Sequence, residues 1–272
     1  MARIRVRTVR VPALVALSAA LALTATACGS DEPATEDKGA AGPKRGDAPV
    51  VVATTTWEGA FAKAAGAEDV TVIVPSSAQH APDYDPKPSD LAAVAEADFV
   101  LYAPFEPYAA KIKEAAGSDA ELVEVDLDNA AGRASAEVTR LGGLFGTEDA
   151  AARWNASFES EYATLQKDLK QAWPGGTAPA VVAQVFSVWS AEMAGAEVRG
   201  TYGPEAVTAE QLSELAKKKP AFVLDNVHMS TGKVLPDSGA EQVGIVNYPD
   251  EDLDLMGVYQ DAADAITKAL AS

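Results

Sequence analysis

The chain has 272 residues, 40 of them acidic and 22 basic, for a formal net charge of −18. That balance argues against nucleic acid and against electrostatic adhesion to anionic lipid, and the length suffices for one large domain or two lobes. With a single cysteine no internal disulfide can form, so core packing must hold the body together.

The chain opens on a targeting pattern. Arg3, Arg5, Arg7 and Arg10 precede an apolar run over residues 11–27. The run ends in Ala25-Thr26-Ala27-Cys28, and small residues before the lone cysteine resemble a lipobox. This predicts removal of residues 1–27 as a lipoprotein signal peptide and acylation of Cys28. The alternative is a retained membrane anchor of marginal spanning length. Cleavage removes four arginines and no acids, taking the net charge from −18 to −22. Residues 28–48 are small, charged and interrupted by Pro and Gly, which predicts a disordered tether reaching roughly 25 Å.

Residues 49–146 alternate short β-rich runs (50–53, 70–74, 99–102 and 122–125) with helical patterns, which implies a parallel sheet covered on both faces. Asp83, Asp85, Pro86 and Pro88 mark a loop, after which Ser89 is placed as a helix N-cap. From Thr147, residues Ala151, Trp154, Phe158, Tyr162, Leu165, Leu169 and Trp173 recur every three or four positions. They predict one helix over 147–173, about 39 Å long, stopped by Pro174-Gly175-Gly176. Residues 174–272 repeat the alternation, with strands expected at 181–183, 222–224 and 243–246. A capping box, Thr208 to Gln211, opens a helix through Lys217, and a terminal helix is expected over 256–270. No internal sequence repeat is evident.

Three motifs carry a family likeness. Tyr84-Asp85-Pro86-Lys87-Pro88-Ser89-Asp90, then Ala97-Asp98-Phe99-Val100, then Phe105-Glu106 follow one another, after an opening Val50-Val51-Val52-Ala53-Thr54-Thr55. Together they resemble the metal-binding family of ABC-transporter solute-binding lipoproteins, the zinc/manganese (ZnuA/TroA-like) type. The resemblance implies an α/β fold of two lobes (49–146 and 174–272), each a mostly parallel sheet flanked by helices, joined by the single helix 147–173. It also implies a lipid-anchored, monomeric, extracytoplasmic component of an ABC importer, one that captures a divalent metal ion, Zn or Mn, and delivers it to a permease without catalysis.

The two histidines of the chain, His80 and His228, fall on strand-end loops of different lobes. Imidazole with carboxylate is a common ligand set for Zn or Mn, so His80, His228, Asp225 and Glu106 are the candidate ligands, with Asp83 or Asp250 as further oxygens. Each histidine alone also fits a loop residue bonded to backbone, and Glu106 fits a turn acceptor. The family's usual ligand positions fall here on Pro82, Gln184, Asn226 and Asn247, and the second has no counterpart between Asn129 and Thr147. Neutral amides bring no charge to offset dehydration of a divalent ion. Two alternatives therefore stand beside the metal reading. One is a metal chelate or organic cation between aromatic walls, drawn from Trp57, Tyr84, Phe105, Tyr108, Phe186, Trp189, Tyr202 and Tyr248. The other is an adhesin or accessory lipoprotein that has lost metal binding. No nucleophile elbow, Walker loop, HExxH or dinucleotide fingerprint occurs, so no enzyme is expected.

Overall fold

The computed structural model describes residues 48–76, 78, 83–117 and 120–271; Cys28, the signal and most of the tether, His80 and Pro82 lie outside them. The first sheet is built from β1 (Val50–Ala53), β2 (Asp69–Val72), β3 (Phe99–Tyr102) and β4 (Glu121–Glu124), all parallel, in the order β2-β1-β3-β4. The second uses β5 (Ala180–Gln184), β6 (Glu197–Tyr202), β7 (Phe222–Asn226) and β8 (Glu241–Ile245), parallel, in the order β6-β5-β7-β8. The two halves thus share one topology without a recognisable sequence repeat. Central strands are continuous apolar runs because both faces are covered: β3 is buried at every residue, and Val51, Val52 and Ala53 of β1 are no more than 1% exposed.

Between strands lie α1 (Thr56–Ala64), α2 (Pro88–Glu96) and α3 (Ala109–Ala116) in the first half, and α6 (Val188–Ala194) and α7 (Ala209–Lys217) in the second. A helical hairpin of α4 (Ala131–Phe145) and α5 (Glu148–Gln171) separates the sheets along the chain, and α8 (Leu255–Leu270) closes it. The α4–α5 turn is tight: Gly146 is left-handed, and the Thr147 amide donates to the Gly142 carbonyl at 2.8 Å. α5 has 24 residues, about 36 Å of helix. It packs on α4 and α1 of the first half and on α6 and α8 of the second. Its stripe forms an aromatic seam, with Phe158 stacked on Trp154 at 4.8 Å and edge-on to Tyr259 of α8 at 4.9 Å. Trp189 of α6 joins Tyr259 from the other side at 5.1 Å. One core cluster runs through this seam and the inner faces of both sheets, while smaller clusters around Val100 and Val223 fill the outer faces.

Three details differ from the sequence expectation. The helix expected to have Ser89 as its N-cap begins at Pro88, with Lys87 as N-cap: proline suits the first helical position, and the Asp90 carboxylate accepts the Lys87 amide at 2.8 Å. Trp173 lies beyond the end of α5 and turns its indole N–H to the Ala194 carbonyl, 3.1 Å away. Strand β6 was not anticipated. Its residues, Glu-Val-Arg-Gly-Thr-Tyr, are mostly exposed, as befits a sheet edge, and so lack the apolar run that marks a central strand. Among the described residues no helix is long and apolar enough to cross a membrane.

Candidate functional site

In both sheets the chain leaves the first strand toward one edge and returns on the other side, so a crevice opens at the carboxyl ends of β1 and β3 and of β5 and β7. The residues that follow these strands are the predicted rim residues.

On the first rim, Glu106 is 8% exposed and accepts the Ala103 amide and the Tyr108 hydroxyl, each at 3.0 Å. It closes the turn between β3 and α3, the turn-acceptor role left open in the sequence. Beside it is a group the sequence reading passed over. Glu58, at the third position of α1, completes a capping box with Thr55, accepting both its amide and its hydroxyl. The Thr55-x-x-Glu58 spacing signals the cap, but the burial is tertiary: Glu58 is fully buried and its Oε1 has no hydrogen-bond partner among the described residues. Loss of water, and then the field of Glu106, push its pKa up to about 8. Burial raises that of Glu106 as well, opposed by the bonds it accepts.

On the second rim, Asp225 is 3% exposed, and its oxygens accept the Tyr202 and Ser230 hydroxyls, each at 2.6 Å, and the Gln242 amide at 2.9 Å. It ties β6, β7 and β8 to the segment after β7. The three amides at family ligand positions are also engaged in hydrogen bonds, two of them local and one long-range. Gln184 accepts the Phe186 amide at 2.6 Å, Asn226 accepts the His228 amide at 3.0 Å, and Asn247 accepts the Trp189 indole N–H at 3.0 Å. Asn129, buried at 3%, bridges the halves: it accepts the Trp57 indole at 3.2 Å and donates to the Asn247 carbonyl at 2.6 Å, while its own carbonyl accepts the Tyr259 hydroxyl at 3.0 Å.

His228 caps the end of this rim. Its ring stacks on Tyr248 with centroids 3.8 Å apart. The residue keeps much of its surface open, yet its ring is desolvated, and that lowers the imidazole pKa to about 4 against the pull of Asp250. His228, Tyr248 and Asp250 line a cavity of about 340 Å³ together with Ser76 and Ala78, which follow β2 of the first half. Across the same junction the Ser76 hydroxyl donates to Glu251 at 3.3 Å, and Lys63 donates to the Asp252 carbonyl at 2.7 Å. A larger groove of about 870 Å³ opens elsewhere between the halves, with Trp57 and Phe105 on one side and Phe186 and Trp189 on the other.

The structure therefore places Glu106 and Asp225 inside separate hydrogen-bond networks and His228 at the smaller cavity. Among the described residues no three His, Cys, Asp or Glu side chains gather in a metal-holding group. His80 is two positions beyond the described Ala78. Of the predicted aromatic wall, Trp57, Phe105, Phe186 and Trp189 line the groove, and Tyr248 lines the smaller cavity.

The family model for the periplasmic zinc-uptake complex component A, ZnuA, matches residues 51–140. No curated protein matches the chain in sequence. Among solved structures, FpvC from Pseudomonas aeruginosa in complex with Mn²⁺ superposes with a TM-score of 0.62 at 13% identity, over 83% of this chain and 99% of that one. The laminin-binding protein Lbp of Streptococcus pyogenes gives 0.59 at 16% identity, over 82% and 99%. The Zn(II)-bound ZnuA-like domain of Streptococcus pneumoniae AdcA gives 0.54 at 14% identity, over 84% and 100%. The chain thus resembles the ZnuA family in the sequence of residues 51–140, and through nearly all of its described length it has the two-lobe α/β fold of metal-binding ABC solute-binding proteins.

Proposed function

We propose that this protein is the extracytoplasmic solute-binding component of an ABC importer, that it captures a divalent metal ion, Zn or Mn, and that it passes the ion to a permease. It acts by capture and release rather than by catalysis, as a monomer held to the membrane through an acylated Cys28. The reading is supported by the ZnuA-model match, by the fold shared with Mn²⁺- and Zn(II)-bound proteins, and by the absence of enzyme motifs from the sequence.

One observation carries the metal assignment: His228 lines a cavity that Ser76 and Ala78 of the first half also line, and His80 follows Ala78 by two positions in the sequence. A desolvated imidazole is neutral near pH 7 and offers a lone pair without first losing a proton. We assign the ion to His80 and His228, with Asp250, a lining carboxylate whose charge acts on His228, as the oxygen donor. Asp225 and Glu106 act as supports that fix the two rim turns, because their oxygens already hold the donors around them.

The test is metal analysis of the purified protein and calorimetric titration with Zn and with Mn. One equivalent should bind, and His228→Ala and His80→Ala should each weaken it by at least about tenfold, the loss of one imidazole ligand. Absence of stoichiometric metal, or an isotherm indifferent to both substitutions, refutes the assignment. Cys28→Ser should release the mature protein from membranes into the soluble fraction; retention on the membrane refutes the lipid anchor.

A further inference from the structure

The larger groove has no part in the metal reading, and its chemistry is of another kind. It is framed by Pro104 and Phe105 after β3, by the segment after β4, and by Val185, Phe186 and Trp189 after β5, so both halves of the chain build it. Phe105 is 75% exposed and Phe186 is 49% exposed. A single exposed phenylalanine is ordinary, but two on opposite sides of one groove form an apolar frame that water wets poorly. Trp57 and Trp189 stand in the wall between them, and both indole N–H groups are already bonded, to Asn129 and to Asn247. What those rings offer an occupant is hydrocarbon and π surface, held in fixed orientation.

The electrostatics choose the sign of the occupant. Glu124, Asp126, Asp128, Glu137 and Glu192 line the groove, and among the described residues Arg140 is its sole basic lining residue. Arg140 pairs with Glu137 at 2.5 Å, while Arg133 is shared by Asp126 at 3.0 Å and Asp128 at 3.2 Å. Two guanidinium groups therefore face five carboxylates, and Glu124 and Glu192 have no ion pair among the described residues. The carboxylates are not gathered closely enough to form a metal-holding group. A volume of about 870 Å³ suits a small organic molecule, not a bare ion.

We propose that this groove is a second binding site, separate from the His228 cavity, and that it takes an organic cation: an amine or quaternary ammonium whose apolar portion lies against Phe105, Phe186, Trp57 and Trp189. Its positive head gains the negative faces of the rings and the net negative field of the groove's carboxylates, which outnumber the guanidinium groups beside them. An anion is repelled by the same field, and a neutral molecule gains the apolar contact alone.

The experiment is calorimetric titration of the full-length chain with benzyltrimethylammonium, and in parallel with neutral benzyl alcohol and with benzoate. The expected result is saturable binding of the ammonium, at least about tenfold tighter than benzyl alcohol, since a desolvated cation–π contact with its supporting charges is worth on the order of 1–2 kcal/mol. Benzoate should give no binding. Phe186→Ala and Phe105→Ala alter exposed side chains on turns, and each should weaken the ammonium isotherm several-fold. Glu192→Gln should weaken it less and reduce its dependence on salt. No saturable ammonium binding, equal affinity for the neutral probe, or an isotherm unchanged in the Phe105/Phe186 double variant overturns the proposal. His228→Ala separates the two sites: it should weaken Zn binding by at least about tenfold and leave the ammonium isotherm intact. Loss of both ligands in that variant also overturns a separate site, whereas failure of Zn binding in the parent with ammonium retained refutes the metal assignment alone.

Discussion

Replacing Glu58 by Gln should change how stability depends on pH. The Glu58 carboxyl is fully buried, one of its oxygens has no partner among the described residues, and its pKa rises from the ordinary 4.5 to about 8 through burial first and Glu106 second. A carboxyl whose pKa is higher folded than unfolded binds its proton more tightly in the folded state. The stability it contributes is present in full below the unfolded value and is lost as pH rises through the folded one. At about 1.4 kcal/mol per pH unit, the interval from 4.5 to about 8 sets a ceiling of roughly 5 kcal/mol, and sharing of the proton with Glu106 brings the expected loss to roughly 3–5 kcal/mol. Glutamine keeps an oxygen for the Thr55 cap but cannot ionise. Any cost of its buried amide is the same at every pH, and the titration of groups other than the neighbouring Glu106 is common to both proteins, so each cancels in the comparison across pH. The assay is urea unfolding of parent and Glu58→Gln, followed by tryptophan fluorescence at several pH values between 5 and 8.5. The parent should lose stability relative to the variant steadily over that range. A difference that stays constant with pH refutes the argument, because the unfolded carboxyl is ionised over this range and Glu58 would then have to be ionised in the folded state as well.

Two further outcomes concern the seam that joins the sheets. A Cβ at Gly142 would stand 2.5 Å from the Cβ of Ala151, so Gly142→Ala should destabilise the protein by about 1–3 kcal/mol in urea unfolding although alanine is the better helix former; unchanged or increased stability would show that the α4–α5 contact can yield. Phe158 is 4% exposed and is sandwiched between Trp154 and Tyr259, so Phe158→Ala should cost about 3–5 kcal/mol; a loss below about 1 kcal/mol would mean that this contact does not bear on the global unfolding.

How far the sequence could be read depended on whether an element announces itself locally. Residues 99–102 form an unbroken apolar run, and the structure has β3 at Phe99–Tyr102. The Thr208 capping box opens α7 as its spacing requires, because a cap is made within one turn of chain. β6 stayed hidden because an edge strand with one wet face carries no such run. The candidate ligands show the same division. Their positions on strand-end loops were legible, since loops follow strands and strands are apolar. The partners of Asp225 come from Tyr202, Ser230 and Gln242, up to 23 residues away, and no spacing rule identifies them. Asn129 and Asn247, 118 residues apart, meet only because the fold brings the carboxyl ends of β4 and β8 to one junction.

The sequence by itself determined the alternation of strand and helix, the long amphipathic stripe of α5, the acidic charge and the family likeness of the first half. All of these are written in nearest neighbours or in composition. Only the tertiary structure decided that Glu58 is buried with an unpartnered oxygen, that the amides at the family's ligand positions hold turns and indoles, and that two aromatic pairs from different halves frame one groove. Burial and long-range pairing depend on which surfaces close over which, and that is a property of the packed chain, not of any local segment.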